Sequence, residues 1–206
     1  MRQRLSGPSG RRCLFFVLAI VLPLSQGGGP SPAFAHGGPP LRIGVAGDPD
    51  AAAAARLALV HLREGVGFAV DWREFPDEDA LRAAFSGGRL DIAAAVSRPA
   101  GAPAAGTDCP PAEIGRIREE IRGRWGGEAF LLRPPTGADP CARCALVVSR
   151  TVLADLRFTI LGREMERLAA VVAAEDLAAV RAAAVSGGER AATAAARAAL
   201  AAKAGK

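Results

Sequence analysis

The fold is decided by residues 41–96, which spell LRIGVAGDPDAAAAARLALVHLREGVGFAVDWREFPDEDALRAAFSGGRLDIAAAV. Three short apolar runs, 41–46, 68–72 and 90–96, alternate in this stretch with two segments of helical pattern. Strands that alternate with helices are typical of a parallel sheet with crossover helices. The stretch therefore predicts the order β-α-β-α-β and an α/β fold.

The ends of both helices are marked by residues that start or stop a helix. Asp48, followed by a proline, predicts the start of the first helix, because an aspartate caps free N–H groups and proline fits the first turn. Gly65 is the predicted end of this helix. Asp77 is the predicted cap of the second helix, and the pair Gly87-Gly88 its predicted end.

The same stretch resembles the first lobe of the periplasmic substrate-binding proteins of ABC transporters, and most of all the branch that binds glycine betaine and related osmoprotectants. The resemblance rests on the order of elements and on the motif G-x-L-D-I at 88–92. In that family the Asp-Ile pair begins a strand that leads toward the ligand cleft, and Asp91-Ile92 hold this place here. The resemblance implies the type II periplasmic-binding-protein fold.

A later part of the chain extends the resemblance. The apolar run CALVVS (144–149) predicts a buried strand, and Arg150 stands where the family often has a basic residue after the strand that returns the chain to the first lobe. Helical segments are predicted after it, at 163–172, at 175–185 and beyond Gly187-Gly188. The resemblance implies that this helical C-terminus packs on the first lobe.

The domain organisation follows from these two matching parts, which cover about 41–98 and 144–202. The family has a full second lobe between them, whereas this chain has only about 45 residues, with a helix predicted at 113–124 and a strand at 128–133. A reduced second lobe is therefore expected. The predicted segments are a signal peptide at 1–35, the first part of the α/β lobe at 36–98, the reduced lobe or insertion at 99–143 and the return to the first lobe at 144–206.

The first 35 residues have the pattern of a secretory signal peptide. Four arginines precede the apolar run 14–24, and Ala33-Phe34-Ala35 supplies an A-x-A cleavage site. The apolar run is too short to span a bilayer. We therefore expect cleavage after Ala35 and a periplasmic or secreted protein that does not span the membrane.

The charge balance and the motif content exclude several classes of function. Cleavage would remove four of the 26 basic residues and none of the 21 acidic ones, which leaves a nearly neutral chain. A neutral chain does not indicate a nucleic-acid partner. Because the sequence has no Ser/His/Asp set, phosphate-binding loop or H-E-x-x-H motif, it predicts neither an enzyme nor a cofactor.

Candidate ligand-binding residues follow from the rule that parallel α/β sheets bind ligands beyond the carboxyl ends of their strands. Gly47, Asp48 and Asp50 follow the first predicted strand, and Ser97 and Arg98 follow the third. Helix N–H groups at this edge would suit an oxyanion, and the carboxylates would suit a cation. The alternative for Asp48 is a helix cap without a ligand role.

Trp125 completes the candidate ligand-binding set. Osmoprotectant-binding proteins hold a quaternary ammonium against several aromatic faces, because ring quadrupoles attract such a cation. This chain has two tryptophans and no tyrosine. Trp72 ends a strand and is predicted to lie in the core, whereas Trp125, next to Arg124 and two glycines, is predicted to be exposed. With so few aromatic residues, a small polar solute other than betaine is the expected ligand.

Three cysteines follow the predicted cleavage site, Cys109, Cys141 and Cys144, in a compartment that oxidises thiols. Cys109 and Cys141 flank the insertion, and the favoured interpretation is a structural disulfide between them. The alternative is a thiol or soft-metal site built from the three cysteines, with His36 and His61 as the available imidazoles.

These features predict the periplasmic solute-binding component of an ABC-type transport system, which passes its solute to a membrane permease. No metal or other cofactor belongs to this prediction. Two alternatives stay open. One is a periplasmic thiol or metal-binding protein that uses the three cysteines, and the other is a degenerate lobe that acts as an accessory interaction subunit.

Overall fold

The computed structural model describes residues 39–97, 109–133 and 141–204. The predicted signal peptide with its cleavage site after Ala35, the candidate ligand His36 and the candidate site residue Arg98 lie outside the described residues.

Within the described residues, five strands form a single sheet in the order β2-β1-β3-β5-β4. The central strand β1 is parallel to both β2 and β3, so the predicted parallel arrangement of the first three strands is confirmed. The strand β5 is antiparallel to β3 and to β4, and it is therefore the reversed strand in a mixed, mostly parallel sheet. The strands are β1 (Leu41–Ala46), β2 (Val70–Phe75), β3 (Ile92–Ser97), β4 (Glu128–Leu132) and β5 (Arg143–Val148).

Helices connect the first three strands and follow the last one, as an α/β fold requires. A π-helical segment, His61–Val66, continues the first helix, and a short 3-10 turn, Leu156–Phe158, precedes the fifth. The helices are α1 (Pro49–Val60), α2 (Glu78–Ser86), α3 (Pro111–Trp125), α4 (Arg150–Leu153), α5 (Leu161–Val171) and α6 (Ala174–Ala204). Among the described residues, no helix combines the length and the apolar character that a membrane span requires.

The predicted helix starts are confirmed in atomic detail. The Asp48 carboxylate accepts hydrogen bonds from the backbone N–H groups of Asp50 (2.8 Å) and Ala51 (3.1 Å) at the start of α1. The Asp77 carboxylate accepts one from the N–H of Ala80 (2.7 Å) at the start of α2. Both aspartates therefore satisfy N–H groups that have no partner inside the helix.

The predicted end of the first helix is wrong by two residues. Gly65 lies inside the π-helical segment, and the helical conformation continues to Val66. The segment ends at Gly67, whose φ of 89° lies in the left-handed region that glycine adopts without steric cost. A second predicted break is confirmed, since Gly188 interrupts α6 with a φ of 67°.

Both faces of the sheet are covered at its centre, which explains why β3 and β5 are apolar almost without interruption. One face packs against α1, α5 and α6, and Ile92 and Ala94 of β3 point to this side. The other face packs against α2 and α3, and Ala93 and Ala95 point to it. The segment between β3 and β5 contributes α3 and β4 to this same three-layer arrangement.

Candidate functional site

The carboxyl ends of the three parallel strands border one cleft. Because β1, β2 and β3 run in the same direction, the residues that follow them meet at the same edge of the sheet. The cleft has a volume of about 310 Å³ and is lined mainly by residues 46–48, 76–78 and 94–96. This volume lies near the lower end of the range for small-molecule sites.

Two helices begin at this cleft, and both carry their own aspartate cap. The caps Asp48 and Asp77 line the cleft and accept the hydrogen bonds of the first free N–H groups of α1 and α2. These N–H groups are therefore already bound, which makes an oxyanion site at the helix starts less favourable than the sequence suggested. For Asp48 the structure confirms the role of helix cap.

The charged groups of the cleft are mainly acidic. Asp48, Asp77 and Glu78 place three carboxylates along its lining. The guanidinium of Arg124, in α3, pairs with Glu78: its Nη2 lies 2.8 Å from Oε1 of that residue. A second guanidinium, that of Arg82, lies 3.9 Å from the same oxygen of Glu78. With three carboxylates and two guanidiniums at its border, the cleft keeps an excess of negative charge, which favours a cation or a hydrogen-bond donor.

Ser97 lies at the same edge, at the end of β3. It borders a small recess that adjoins the cleft and that Glu120, Arg124 and Trp125 also line. The two cavities share Glu78, Ala95 and Val96 in their linings. The structure therefore brings together Gly47, Asp48 and Ser97 at this edge, and the predicted site residue Trp125 borders the recess from α3.

Two other predicted site residues make structural contacts instead. Oδ1 of Asp50 accepts a hydrogen bond from Nη1 of Arg181 at 2.9 Å, which ties α1 to α6. Trp125 is only 3% exposed, and its ring meets that of Phe85 edge to face at a centroid distance of 5.9 Å. The prediction that Trp125 is exposed is thus wrong.

The burial of Trp125 has a simple physical reason. Three residues of α3 follow one another at intervals of four positions, and all three are buried: Ile117, Ile121 and Trp125. Residues at this spacing share one face of a helix, so the tryptophan completes the apolar stripe of α3. This spacing was visible in the sequence.

Sequence reasoning missed three residues of the cleft, namely Asp77, Glu78 and Arg124. Asp77 is predicted only as a helix cap, and Glu78 follows it in the first turn of α2. The same rule about strand ends would have found Asp77 and Glu78, because they directly follow β2. No local sequence signal places Arg124 at the cleft, because it belongs to α3 and only the packing of this helix brings it there.

The cysteines form the favoured disulfide. Cys109 and Cys141 are bonded, with their Cα atoms 5.0 Å apart, and the bond ties the start of α3 to the start of β5. Cys144 is buried in β5 and does not take part in this bond. Throughout the described part of the chain, no group of three or more His, Cys, Asp or Glu side chains is arranged to hold a metal ion. The disulfide occupies two of the three cysteines that the alternative thiol or metal site would use.

Comparison of the chain with protein-family models, curated proteins and solved structures finds no match. The function is therefore inferred from the geometry and chemistry of the cleft.

Proposed function

We propose that this protein captures a small polar solute in the cleft at the carboxyl edge of the sheet, as the periplasmic solute-binding component of an ABC-type transport system. The observation that carries the proposal is the cleft itself, in which the ends of three parallel strands surround about 310 Å³. Binding at such an edge is the usual arrangement in open α/β sheets. Delivery of the solute to a membrane permease is part of the same proposal.

The course of the chain after the first three strands supports this proposal. The strand β5 lies between β3 and β4, so that it returns the chain to the sheet of the first three strands. The helices α4, α5 and α6 follow it, and α5 and α6 pack on the same face as α1. A late strand that returns to the first lobe and precedes a helical C-terminus is the order expected from the resemblance to periplasmic binding proteins.

The segment between β3 and β5 determines what surrounds the proposed site. This segment is predicted as a reduced second lobe. Its described part contributes β4 to the main sheet and α3 to the layer that covers one face of the sheet. Arg124 of α3 borders the cleft. In this proposal the solute is therefore bound at the edge of one sheet and next to the end of α3.

The acidic border determines the class of solute that we propose. A carboxylate can accept several hydrogen bonds, so a primary amine can still donate to Asp48, Asp77 or Glu78 beside their cap and ion-pair contacts, and it gains attraction from their charge. A quaternary ammonium cannot donate, and among the described residues no aromatic ring lines the cleft to hold it. We therefore propose a small solute with one or more primary amines, and binding alone is sufficient for the function.

The test is a binding measurement with putrescine, glycine betaine and malate as probes of the three charge classes. We expect putrescine to bind in isothermal titration calorimetry and the other two to bind at least about ten-fold more weakly, a difference of about 1.4 kcal/mol. Preferential binding of malate would contradict the proposal.

A cleft-filling variant locates the binding site. Gly47 lines the cleft, and a Cβ there would meet no heavy atom within 4 Å, so a side chain can start at this position and Gly47→Phe adds bulk to the cleft. Gly115, on the exposed side of α3, also has open space around it and provides the matched control Gly115→Phe. Putrescine binding that is lost in Gly47→Phe and kept in Gly115→Phe supports the proposal. Equal binding by both variants would refute the proposed location.

A further inference from the structure

We propose that a second pocket, separate from the cleft, binds a small aliphatic monocarboxylate. The pocket has a volume of about 480 Å³ and lies where the π-helical segment, α5 and the end of α6 meet. The helix α1 begins at the cleft and ends next to this pocket, and its twelve residues span about 18 Å. The two sites therefore lie at opposite ends of α1, and this inference does not rest on the proposed function.

The pocket exists because small residues line a place where larger ones would close it. Gly65 of the π-helical segment and Ala201 and Ala204 of α6 contribute almost no side-chain volume to the lining. A Cβ on Gly65 would already approach Nδ1 of His61 to 3.5 Å. These residues leave an open space of the size that small organic ligands occupy.

One wall of the pocket is apolar. Val60, Val171 and Leu200 line it, and Val171 remains 37% exposed. Covering these side chains with a hydrocarbon chain would remove apolar surface from water, which is favourable. The wall therefore favours a ligand with an aliphatic part.

The carboxylates of the pocket already have partners. Both oxygens of Glu64 accept hydrogen bonds from Nε of Arg197, at 2.8 and 2.7 Å. Oε2 of Glu164 lies 3.2 Å from Nε2 of His61, and its Oε1 lies 3.9 Å from Nε of Arg163. A ligand that donates hydrogen bonds or carries positive charge would have to compete with these contacts.

Two of the three cations that line the pocket are paired with carboxylates. Arg197 pairs with Glu64, and Nζ of Lys203 lies 3.3 Å from Oδ2 of Asp176. Arg167 lines the pocket, is exposed to solvent and forms no ion pair with any described residue. Its guanidinium offers five donors in a planar fork that matches the two oxygens of a carboxylate.

The charge of the neighbouring groups limits the charge of the ligand. Three cations and two carboxylates line the pocket, so its charged side chains leave a net charge of +1 that a single carboxylate on the ligand would balance. A phosphate monoester or a dicarboxylate is therefore disfavoured. An aliphatic chain with a single carboxylate satisfies both the apolar wall and Arg167.

Octanoate is the probe for this proposal, with acetate and octylamine as comparisons, each titrated calorimetrically into the chain. We expect octanoate to bind and the other two to bind at least about ten-fold more weakly, because acetate lacks the chain and octylamine has the wrong charge. An absence of octanoate binding at millimolar concentration, or equal binding of octylamine, would overturn the proposal.

Two pairs of variants locate the site. Arg167→Gln removes the guanidinium and Ala201→Phe fills the space, and each is expected to weaken octanoate binding by about ten-fold or more. Arg190→Gln and Ala198→Phe change exposed residues of α6 that do not line the pocket, and they are the matched controls. Octanoate binding that is equally strong in all four variants would overturn the proposal. Failure here leaves the putrescine result untouched, because that result is mapped by Gly47.

Discussion

At the scale of single residues, Asp91 shows how one side chain organises the sheet. Its carboxylate accepts hydrogen bonds from the backbone N–H of Arg42 (2.8 Å) and from Nε (2.9 Å) and Nη2 (2.8 Å) of the same residue. The N–H of Asp91 also donates to the carbonyl oxygen of Arg42 at 3.0 Å. These contacts lie at the amino ends of β1 and β3, so Asp91 aligns the strands at the edge opposite the cleft.

The first prediction follows from this arrangement. Asp91→Asn replaces a buried carboxylate by an amide that serves three N–H donors poorly, and we expect a loss of about 1–2 kcal/mol in the free energy of unfolding. Urea denaturation measures it. Asp71→Asn, the matched control, changes an exposed aspartate of β2 and should have no measurable effect. Equal stability of both variants would contradict the role given to Asp91.

The second prediction concerns the titration of His61. Burial lowers the pKa of this imidazole below its ordinary value, Arg167 adds to the lowering, and the nearby Glu164 carboxylate opposes it. The unfolded chain then takes up a proton near the ordinary pKa of about 6.5, while the folded chain takes it up only at lower pH. Folding stability contributed by neutral His61 is therefore complete above pH 6.5 and is lost as the pH falls below it.

Denaturation of the wild type and of His61→Gln at pH 7.5 and pH 5.5 tests this prediction. The carboxylates titrate in both proteins, so the difference between their losses of stability measures the contribution of the histidine. We expect the wild type to lose more stability on acidification than His61→Gln. The same loss in both proteins would show that His61 is not responsible.

At the scale of elements, α1 and α6 pack directly against each other. Nine of the twelve residues of α1 are buried, because the helix lies between the sheet and α6. Its alanines have the small volume that close packing on two sides requires. Three ion pairs follow the length of α6, in which Arg181, Glu189 and Arg197 bind Asp50, Arg56 and Glu64.

The third prediction belongs to α6. Gly188 has φ 67° and ψ −159°, a conformation that residues with a Cβ adopt only under strain. Gly188→Ala should therefore reduce the free energy of unfolding by about 1–3 kcal/mol. The matched control is Gly115→Ala in the exposed face of α3, where alanine should stabilise by up to about 1 kcal/mol. Thermal unfolding of both variants measures these changes in stability. A stabilising effect of Gly188→Ala would show that the backbone at this position is not strained by a side chain.

At the scale of the whole molecule, the disulfide joins parts of the chain that lie 32 residues apart. A closed loop of this length stabilises a protein by about 3–4 kcal/mol, because the bond restricts the unfolded chain. The fourth prediction is that the double variant Cys109→Ser/Cys141→Ser loses about this much in urea denaturation. A reducing agent should lower the stability of the wild type by a similar amount and leave the variant unchanged. A reductant effect of equal size on both proteins would contradict this assignment.

Much of the fold could be predicted because its signals are local. The strands β1 and β3 and the caps Asp48 and Asp77 follow from apolar runs and from the chemistry of helix starts. The reversal of β5 could not be predicted in this way. All six of its residues are buried, and such a strand has the same pattern whether it runs parallel or antiparallel to its neighbours.

The residues of the candidate sites also differ in whether local sequence signals predict them. By itself the sequence determined that Gly47, Asp48 and Ser97 lie at or just beyond strand ends, and the parallel direction of those strands then brought them to one edge. Only the tertiary structure decided that Asp50 pairs with Arg181 and that the end of α6 closes the second pocket. Local hydrogen bonds and periodicity act over a few residues, whereas these contacts join residues more than a hundred positions apart, and packing alone brings them together.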